Sequence, residues 1–351
     1  RKLVGLPSFI IVLVILVVTF FGYPKINNEF NMLMVYKENT IVSINADKVN
    51  EVNGGSIPLY VTVKTVSDVI TLDTLHEIEH IAEELSALDE VNKVVNPFEL
   101  IEIIYSNQAS GDIPNDMVLS NLYNTISSDP NGTINDLISF EDNTVRLLVF
   151  PSDLQNDTLL VIENTVDEID SDTSVTGVQY LMKDLNDSIS MMQINSIILA
   201  LSIVLLMLIV TLRSFKIALF SLIPIVLTVV SLYGFLGVSQ IPLNITTVII
   251  FSITIGVGID YAVHFSSVYK YYLKETDDNE LAINKAYSNS SRPIITNALG
   301  ISLGLSILIL SPLTIHFNVS MLMWVSMTVS VLLTLTLLPY IFKKFGGKKN
   351  A

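Results

Sequence analysis

Long apolar segments dominate the pattern of hydrophobic and polar positions along this chain. Crossing a bilayer takes about 20 mostly apolar residues. Six segments reach that length, approximately residues 3–23, 194–212, 217–238, 244–268, 293–310 and 319–342. They predict six transmembrane helices, named spans 1 to 6 in chain order. Span 1 could instead be a signal peptide, but its apolar run is too long and no small-residue cleavage site follows, which favours a retained span.

The segment between spans 1 and 2, residues 24–193, has the pattern of a soluble domain. Alternating apolar residues predict four strands, at 57–63, 91–95, 144–150 and 174–180. Helical spacing of apolar residues predicts three helices, at 72–88, 114–127 and 154–169. Two β-α-β units in one small domain favour a split β-α-β, ferredoxin-like α+β fold. We therefore expect a polytopic α-helical membrane protein with an α+β domain between spans 1 and 2.

Composition narrows the class of protein. Half of the 351 residues are hydrophobic and only 15% are charged, whereas soluble proteins carry about 25% charged residues, which argues against an ordinary soluble enzyme. The net charge of −15 argues against a nucleic-acid partner, because binding phosphates requires a basic surface. With no cysteine in the chain, disulfides, thiol catalysis and cysteine metal sites are excluded.

The charges also predict the topology. Residues 24–193 hold 29 of the 34 acidic residues but seven of the 19 basic ones. The basic residues near span ends lie before span 1, between spans 2 and 3, between spans 4 and 5, and after span 6. Because cytoplasmic loops carry the excess of Lys and Arg, we expect a multi-pass protein of the cell membrane with both termini in the cytoplasm and the acidic domain outside.

These patterns predict the following division of the chain. Residues 1–23 form span 1, and residues 24–193 form the extracytoplasmic domain. Residues 194–342 form spans 2 to 6, with a cytoplasmic helix or loop at about 270–292. Residues 343–351 form a basic cytoplasmic tail.

The sequence His76-Glu-Ile-Glu-His80 matches a zinc-protease motif. Its spacing places both imidazoles on one helix face, with Glu77 as a candidate base, so a membrane zinc protease is one alternative. These residues also form the polar face of an amphipathic helix, and the next histidine, His264, lies in a span. We favour a solvated polar face, and expect no metal, no cofactor and no enzymatic activity.

Asp260 is the single acidic residue within the six predicted spans. An ionisable side chain at membrane depth costs at least ~2.5–3.5 kcal/mol on insertion scales, and it is tolerated mainly where function uses it. Asp260 lies four residues past the middle of span 4, about 6 Å toward the cytoplasm. Hydrocarbon surroundings favour the neutral carboxyl, so this group is a candidate for binding and releasing protons. A purely structural polar clamp is the alternative.

The neighbours of Asp260 fit such a proton relay. Gly256 and Gly258 allow another helix to come close, Tyr261 supplies a hydroxyl, and His264 lies one turn further on the same face. Helix packing alone would also account for the glycines, and a position at the membrane interface would account for His264. Candidate hydrogen-bonding partners on span 5 are Asn297, Ser302 and Ser306.

The sequence Gly256-Val-Gly-Ile-Asp260-Tyr261 resembles the fourth-span signature of the resistance-nodulation-division (RND) superfamily. The resemblance is greatest to the MMPL-type branch (mycobacterial membrane protein large) and its archaeal exporter relatives. It extends to the one-plus-five arrangement of spans and to three short motifs, Arg213-Ser-Phe, Arg292-Pro293 and Leu338-Pro339. It implies that the outer domain is a porter domain and that Asp260 and Tyr261 belong to a proton-relay site. It also implies export of lipids or other hydrophobic or amphiphilic molecules, driven by the proton-motive force.

Most members of that superfamily carry two tandem six-span units, whereas this sequence has one. The resemblance therefore implies a homo-oligomer, a dimer or trimer, with membrane lipids, an amphiphilic substrate and protons as partners. Sodium remains open as the coupling ion.

Two other functions remain as alternatives. A protein-export accessory subunit of the SecD/SecF type has the same arrangement of spans, but it carries a Glu-Arg pair shortly after the fourth-span Asp, where this sequence reads His264-Phe-Ser-Ser-Val-Tyr-Lys270. A lipid- or sterol-sensing module would bind lipid in its spans without transporting it.

Overall fold

The protein divides into two compact units. The structure is a computed structural model that describes residues 6–27, 35–65, 68–107, 111–128, 134–169 and 173–346. Residues Arg1–Lys37 and Leu185–Ala351 form one unit, here the membrane unit, and Glu38–Asp184 form the other, the soluble unit. The soluble unit is therefore shorter at both ends than the predicted domain at 24–193. The first five residues and the end of the predicted basic tail, 347–351, lie outside the described residues.

In its described residues the soluble unit combines one sheet with six helices, besides the first residues of the span 2 helix. The helices are α1 (Ile41–Asn53), α2 (Leu72–Ser86), α3 (Pro97–Ser106), α4 (Asp116–Ser127), α5 (Ile134–Leu137) and α6 (Asn156–Ile169). The strands are β1 (Leu59–Lys64), β2 (Val91–Val95), β3 (Ile138–Ser139), β4 (Thr144–Pro151) and β5 (Thr173–Thr176).

The sheet confirms the predicted ferredoxin-like fold. Its strand order is β2-β4-β1-β5, with the short β3 added against β4, and every pair is antiparallel. In the central pair, Val61 lies opposite Leu147 and both are fully buried. Alternate residues of β1 and β4 point into the core, where the apolar stripes of α2 and α6 join them. The apolar residues that alternate along the strands and those that recur about every 3.6 residues along the helices therefore pack in one hydrophobic core.

The sequence analysis did not predict three helices of the soluble unit, namely α1, α3 and the four-residue α5. Helix α3 begins directly after β2, because the Asn96 side chain accepts a hydrogen bond from the Phe98 N–H at 2.9 Å and Pro97 occupies the first turn. It buries Phe98 and Ile101 completely. Helix α1 has no buried residue, so it lacks the apolar stripe that identifies a core-facing helix.

The membrane unit confirms the six predicted spans. The helical segments long and apolar enough to cross a bilayer are Ser8–Lys25, Met191–Leu212, Phe215–Ser239, Ile245–Thr276, Asn279–Leu310 and Thr314–Phe345. The helix of span 2 begins at Val178, where the sequence predicted the end of a strand. Span 5 ends in a 3-10 turn at Ser306–Leu310, and span 6 contains a π-helical turn at Leu333–Leu337.

Spans 4 and 5 form a tight helical hairpin, and the segment predicted as a helix or loop at about 270–292 consists of the end of one span helix, a short turn and the start of the next. Span 4 continues to Thr276 and span 5 begins at Asn279. Asp277 ends one helix in the left-handed conformation, at φ 56°. The Asp278 carboxylate begins the next by accepting hydrogen bonds from two backbone N–H groups. Hydropathy falls at the end of the apolar run, but Tyr269 and Leu273 remain buried, so packing extends the helix beyond it.

Spans 1 and 3 meet backbone to backbone. A Cβ atom added at Gly237 would lie 1.8 Å from the Gly22 carbonyl oxygen, and one added at Gly22 would lie 2.1 Å from the Gly234 carbonyl oxygen. The Thr19 hydroxyl donates to the Val230 carbonyl oxygen across the same contact, at 3.1 Å. Only glycine permits this approach, which is a common way for helices to associate in membranes.

Candidate functional site

Asp260 lies deep in a long, well-anchored helix. Span 4 begins after Asn244, whose side chain accepts hydrogen bonds from the N–H groups of Thr246 and Thr247 while the Thr247 hydroxyl accepts one from the Asn244 N–H. This capping box fixes the start of the helix. Asp260 follows Ile245 by fifteen residues, which at 1.5 Å per residue places it about 22 Å along the helix. That depth lies well within the thickness of a hydrocarbon core.

Spans 4 and 5 line an open cavity at this depth. It has a volume of about 290 Å³ and is lined by Asp260, Tyr261, His264, Pro293, Ile294 and Asn297. The structure therefore brings together a carboxyl, a phenol, an imidazole and a carboxamide, four of the groups that the sequence singled out. Asp260, His264 and Asn297 are exposed on the surface of the membrane unit, whereas Tyr261 is buried. The cavity thus opens to the outside of the bundle.

Tyr261 extends from this cavity into the interior of the bundle. Its side chain is 2% exposed, and its hydroxyl donates to the Met327 sulfur on span 6 at 3.5 Å. Adjacent positions of a helix point about 100° apart, so Asp260 faces outward while Tyr261 faces spans 5 and 6. The pair connects the open face of span 4 with its packed face.

Pro293 was not among the predicted site residues, although it lines the cavity. Inside the helix of span 5 it has no N–H to donate to the Asn289 carbonyl. The Arg292-Pro293 motif was visible in the sequence, but its position opposite Asp260 depends on how spans 4 and 5 pack.

The two glycines before Asp260 occupy different surroundings. A Cβ atom at Gly258 would make ordinary contacts with Ile225 on span 3 and with the Ser330 hydroxyl on span 6, at 3.5 to 3.8 Å. A Cβ atom at Gly256 would meet nothing within 4 Å, and the same holds for Gly300 and Gly304 on span 5. Gly258 therefore lies inside the bundle, and the other three lie on the exposed side that also carries Asp260.

Only one of the three candidate partners on span 5 lies beside Asp260. Asn297 lines the cavity, whereas Ser302 and Ser306 lie five and nine residues further along the helix. The Ser306 hydroxyl donates to the Ser302 carbonyl at 2.8 Å and accepts a hydrogen bond from the Trp324 indole N–H at 2.8 Å. These two serines therefore connect span 5 with span 6, at a different depth from Asp260.

The histidine motif of the soluble unit lies on the polar side of α2. His76 and His80 are exposed, and the His80 Nε2 atom lies 3.8 Å from a Glu84 carboxylate oxygen. Within the described part of the chain, no three His, Cys, Asp or Glu side chains are grouped so as to hold a metal ion. Glu77, His80 and Glu84 instead line an open groove of about 680 Å³ between α2 and α6, together with Ile81, Ala87, Thr165, Glu168 and Ile169.

A second carboxylate cluster in the soluble unit went unnoticed in the sequence. Partial burial raises the pKa of Glu102 on α3 to about 7, and the Glu79 carboxylate on α2 adds to this by its charge and by a hydrogen bond. Asp112 and Glu99 contribute further in the same direction. The two glutamates are 23 residues apart in sequence, so only the fold reveals that they lie together.

Comparison with known proteins identifies the family. The MMPL family model matches residues 43–350. A protein of Methanocaldococcus jannaschii, named as a membrane protein, is 22% identical over 351 residues, an alignment that covers 94% of this chain and 89% of that relative. Because the family match covers well over half of the chain and the described part of the chain holds six candidate spans, this multi-pass membrane protein belongs to the MMPL family of transporters in the RND superfamily.

Proposed function

We propose that this protein is a proton-driven exporter of lipids or other amphiphilic molecules, and that Asp260 is its proton-binding group. The observation that carries the proposal is the cavity in which Asp260 lies at membrane depth with Tyr261, His264 and Asn297. A carboxyl placed there alternates between a charged and a neutral form, and the surrounding groups can exchange hydrogen bonds as it does so. Membership in a family of transporters favours this function over an export accessory subunit or a lipid sensor.

The exposure of Asp260 supports pairing with a second six-span unit. A carboxylate on an uncovered surface at this depth would face lipid tails, which is costly. Gly256, Gly300 and Gly304 lie exposed on the same side, with open space in front of them, and small residues of this kind let helices approach closely. A second copy related by a two-fold axis would cover both Asp260 cavities at once.

Proton binding at Asp260 supplies a means of coupling. Protonation removes the charge and its attraction for neighbouring polar groups, so the two protonation states favour different arrangements of spans 4 and 5. The electrical part of the driving force is ~2.3 kcal/mol per charge per 100 mV. Since 1.4 kcal/mol is a tenfold change, this shifts a two-state equilibrium by about fiftyfold.

The direction of transport rests on topology. The basic residues at alternate loops favour cytoplasmic termini and an outer location for the soluble unit. The groove between α2 and α6 combines carboxylates with apolar side chains, a lining suited to molecules that carry a polar group on an apolar body. Outward movement of such molecules, in exchange for protons entering the cytoplasm, is the cycle we propose.

Transport by the Asp260→Asn variant tests the proposal. The protein is reconstituted in vesicles that contain a pH-sensitive dye, and a fluorescent amphiphile with a nitrobenzoxadiazole head group serves as substrate. We expect a pH gradient to drive amphiphile movement in the unaltered protein, and at least a tenfold slower rate in Asp260→Asn. Glu275→Gln, an exposed carboxylate on the same helix, is the matched control and retains the full rate. Undiminished coupled transport by Asp260→Asn would falsify the proposal.

Cysteine cross-linking tests the pairing. The chain contains no cysteine, so Gly300→Cys introduces a single thiol on the proposed contact face. We expect oxidation in membranes to produce a covalent dimer. Leu206→Cys, on the exposed side of span 2, gives little dimer under the same conditions. Equal cross-linking of both variants contradicts pairing through spans 4 and 5.

A further inference from the structure

Helix α1 of the soluble unit carries apolar side chains that the described residues leave exposed. The helix has 13 residues and buries none of them. Ile41 and Val52 are 78% and 82% exposed, and three further aliphatic side chains are exposed beside them. The five form the aliphatic side of α1, which consists of Ile41, Val42, Ile44, Val49 and Val52. A helix this short is marginal in water and usually gains its stability from packing, so its exposed aliphatic side indicates a partner.

The aliphatic side points away from the rest of the soluble unit. At about 100° per residue, its five side chains fall within an arc of about 160° around the helix axis. The half-buried residues of α1, Ser43, Ala46 and Asn50, lie together on the opposite side. The acidic residues of the helix, Asp47 and Glu51, lie on a third side, between these two. The helix therefore packs against its own unit through one side and presents the aliphatic side outward.

Asn45 and Lys48 interrupt the aliphatic side. An apolar protein surface would leave both side chains without hydrogen-bonding partners, which is costly. The boundary between the acyl chains and head groups of a bilayer offers them phosphate and ester oxygens, while aliphatic side chains enter the acyl region. Lys48, the only basic residue of α1, can extend along that boundary to a phosphate. The mixture therefore favours a lipid surface over an apolar surface of another protein.

The chain itself ties the start of α1 to a membrane surface. Three residues separate α1 from Lys37, which belongs to the membrane unit. The Lys37 N–H donates to the Pro312 carbonyl at 3.0 Å, and the Lys37 ammonium donates to the Ile309 carbonyl at 2.9 Å. These carbonyls lie where span 5 ends and the 311–313 loop leads into span 6, so Lys37 lies at the surface of the bilayer. Four chain steps reach at most about 14 Å, which keeps Ile41 within that distance of Lys37.

The other end of α1 is fixed to the sheet. Gly54 ends the helix in the left-handed conformation, at φ 80°, and its carbonyl accepts a hydrogen bond from the Asn92 side chain on β2 at 2.8 Å. Turning the aliphatic side inward would break this contact. We propose that α1 is an interfacial helix, whose aliphatic side inserts into the lipid leaflet at the 311–313 end of the spans. The occupant of this side is lipid, and the inference is independent of the proposed function of Asp260.

Fluorescence quenching by labelled lipid tests the insertion without requiring transport. The chain contains no cysteine, so Val52→Cys provides a single site for a nitrobenzoxadiazole label, and Asp47→Cys, exposed on the same helix, is the matched control. The full chain is reconstituted at one copy per nanodisc in phosphatidylcholine and phosphatidylglycerol, with or without a doxyl quencher near the carbonyl end of the acyl chain. We expect the quencher to reduce the fluorescence at position 52 at least threefold and that at position 47 by less than a fifth. Equal quenching at both positions, or none at position 52, overturns the inference.

A charge introduced on the aliphatic side tests what holds the helix at the lipid. In the labelled Val52→Cys chain, Ile41→Asp places a carboxylate on this side, and Met117→Asp changes an equally exposed apolar residue on α4. We expect Ile41→Asp to lower the quenching at position 52 at least twofold and Met117→Asp to leave it unchanged. Both residues are exposed, so unaltered unfolding temperatures separate this result from misfolding. Undiminished quenching in Ile41→Asp contradicts insertion.

A second copy of the chain is the competing occupant. Oxidation of Val52→Cys in membranes at high protein density would then give a covalent dimer, and the label would stay unquenched in single-copy nanodiscs. That pair of results would overturn the inference and assign the aliphatic side to a contact between copies.

Discussion

The two units place their polar groups in opposite ways. In the soluble unit the sheet and helices surround a core of aliphatic and aromatic side chains, and the acidic residues lie mostly at the surface. In the membrane unit the exposed side chains are largely apolar, while serines and threonines are buried between the helices. In water, polar side chains are solvated at the protein surface. In a lipid bilayer no water surrounds the helices, so polar side chains are stabilised in the interior of the bundle. In a lipid-embedded bundle, the buried face of a helix is thus better identified by its hydroxyls than by its apolar residues.

The largest expected effect is the loss of a core aromatic residue from the soluble unit. Phe98 is fully buried, so Phe98→Ala should lower the free energy of unfolding of this unit by about 3–5 kcal/mol. Leu206→Ala, on the exposed side of span 2, should change little. The fluorescence of Trp324, the only tryptophan, reports the membrane unit, whereas circular dichroism during denaturant unfolding reports the helices of both units, so a change in circular dichroism without a change in fluorescence reports the soluble unit. Equal shifts in both signals would contradict the separate cores.

A smaller effect is expected from widening the backbone contact between spans 1 and 3. Gly237→Ala adds a methyl group where the Gly22 carbonyl leaves no space, and overpacking of this kind costs about 1–3 kcal/mol. Gly300→Ala adds the same group where nothing lies within 4 Å, and should be neutral or stabilising by up to about 1 kcal/mol. Unfolding in detergent, followed by Trp324 fluorescence, measures both. A stable Gly237→Ala variant would show that the contact is not required.

Removing an interior hydroxyl should lower the free energy of unfolding by less than either of these changes. Ser326→Ala deletes the partner of Thr254, and such hydrogen bonds between membrane helices contribute about 0.6 kcal/mol on average. Ser202→Ala removes an exposed hydroxyl that bonds to its own helix and should have no measurable effect. The same unfolding assay measures the difference. A loss above about 2 kcal/mol for Ser326→Ala would indicate a larger structural role for this contact between spans 4 and 6.

An effect of a different kind, a dependence on pH, is expected from the carboxylate cluster of the soluble unit. Partial burial raises the pKa of Glu102 from its ordinary value of 4.5 to about 7 in the folded protein, so the folded state binds the proton more tightly than the unfolded chain. The stability of this unit should therefore fall as pH rises from about 4.5 to 7. Glu102→Gln should flatten this part of the pH profile, whereas Glu51→Gln, on exposed α1, should leave it unchanged. Thermal unfolding followed by circular dichroism across this range measures the slope.

Much of the fold follows from the sequence alone. The six spans, the four main strands and the helices α2, α4 and α6 came from periodicity, because each of these segments has a single strongly apolar face or an apolar run. Helix α1 could not be recognised, since it buries nothing. Helix α3 was missed although Asn96 and Pro97 are typical of a helix start.

The candidate site was also predicted only in part from the sequence. Asp260, Tyr261 and His264 lie within one helical turn or two, so their proximity follows from chain geometry. Asn297 was one of three candidates on span 5, and only helix packing distinguishes it from Ser302 and Ser306. The hydroxyls of span 6 were present in the sequence at intervals of four residues, but their burial depends on which side of span 6 faces span 4.

The contact between spans 1 and 3 has a consequence for movement in the membrane. Where carbonyl oxygens and α-carbons touch without side chains between them, there are no rotamers to rearrange, and sliding or tilting requires the contact to separate. Spans 1 and 3 therefore behave as a fixed frame. Spans 4 and 5, whose outer glycines face open space, form the part of the bundle that can change position during a transport cycle.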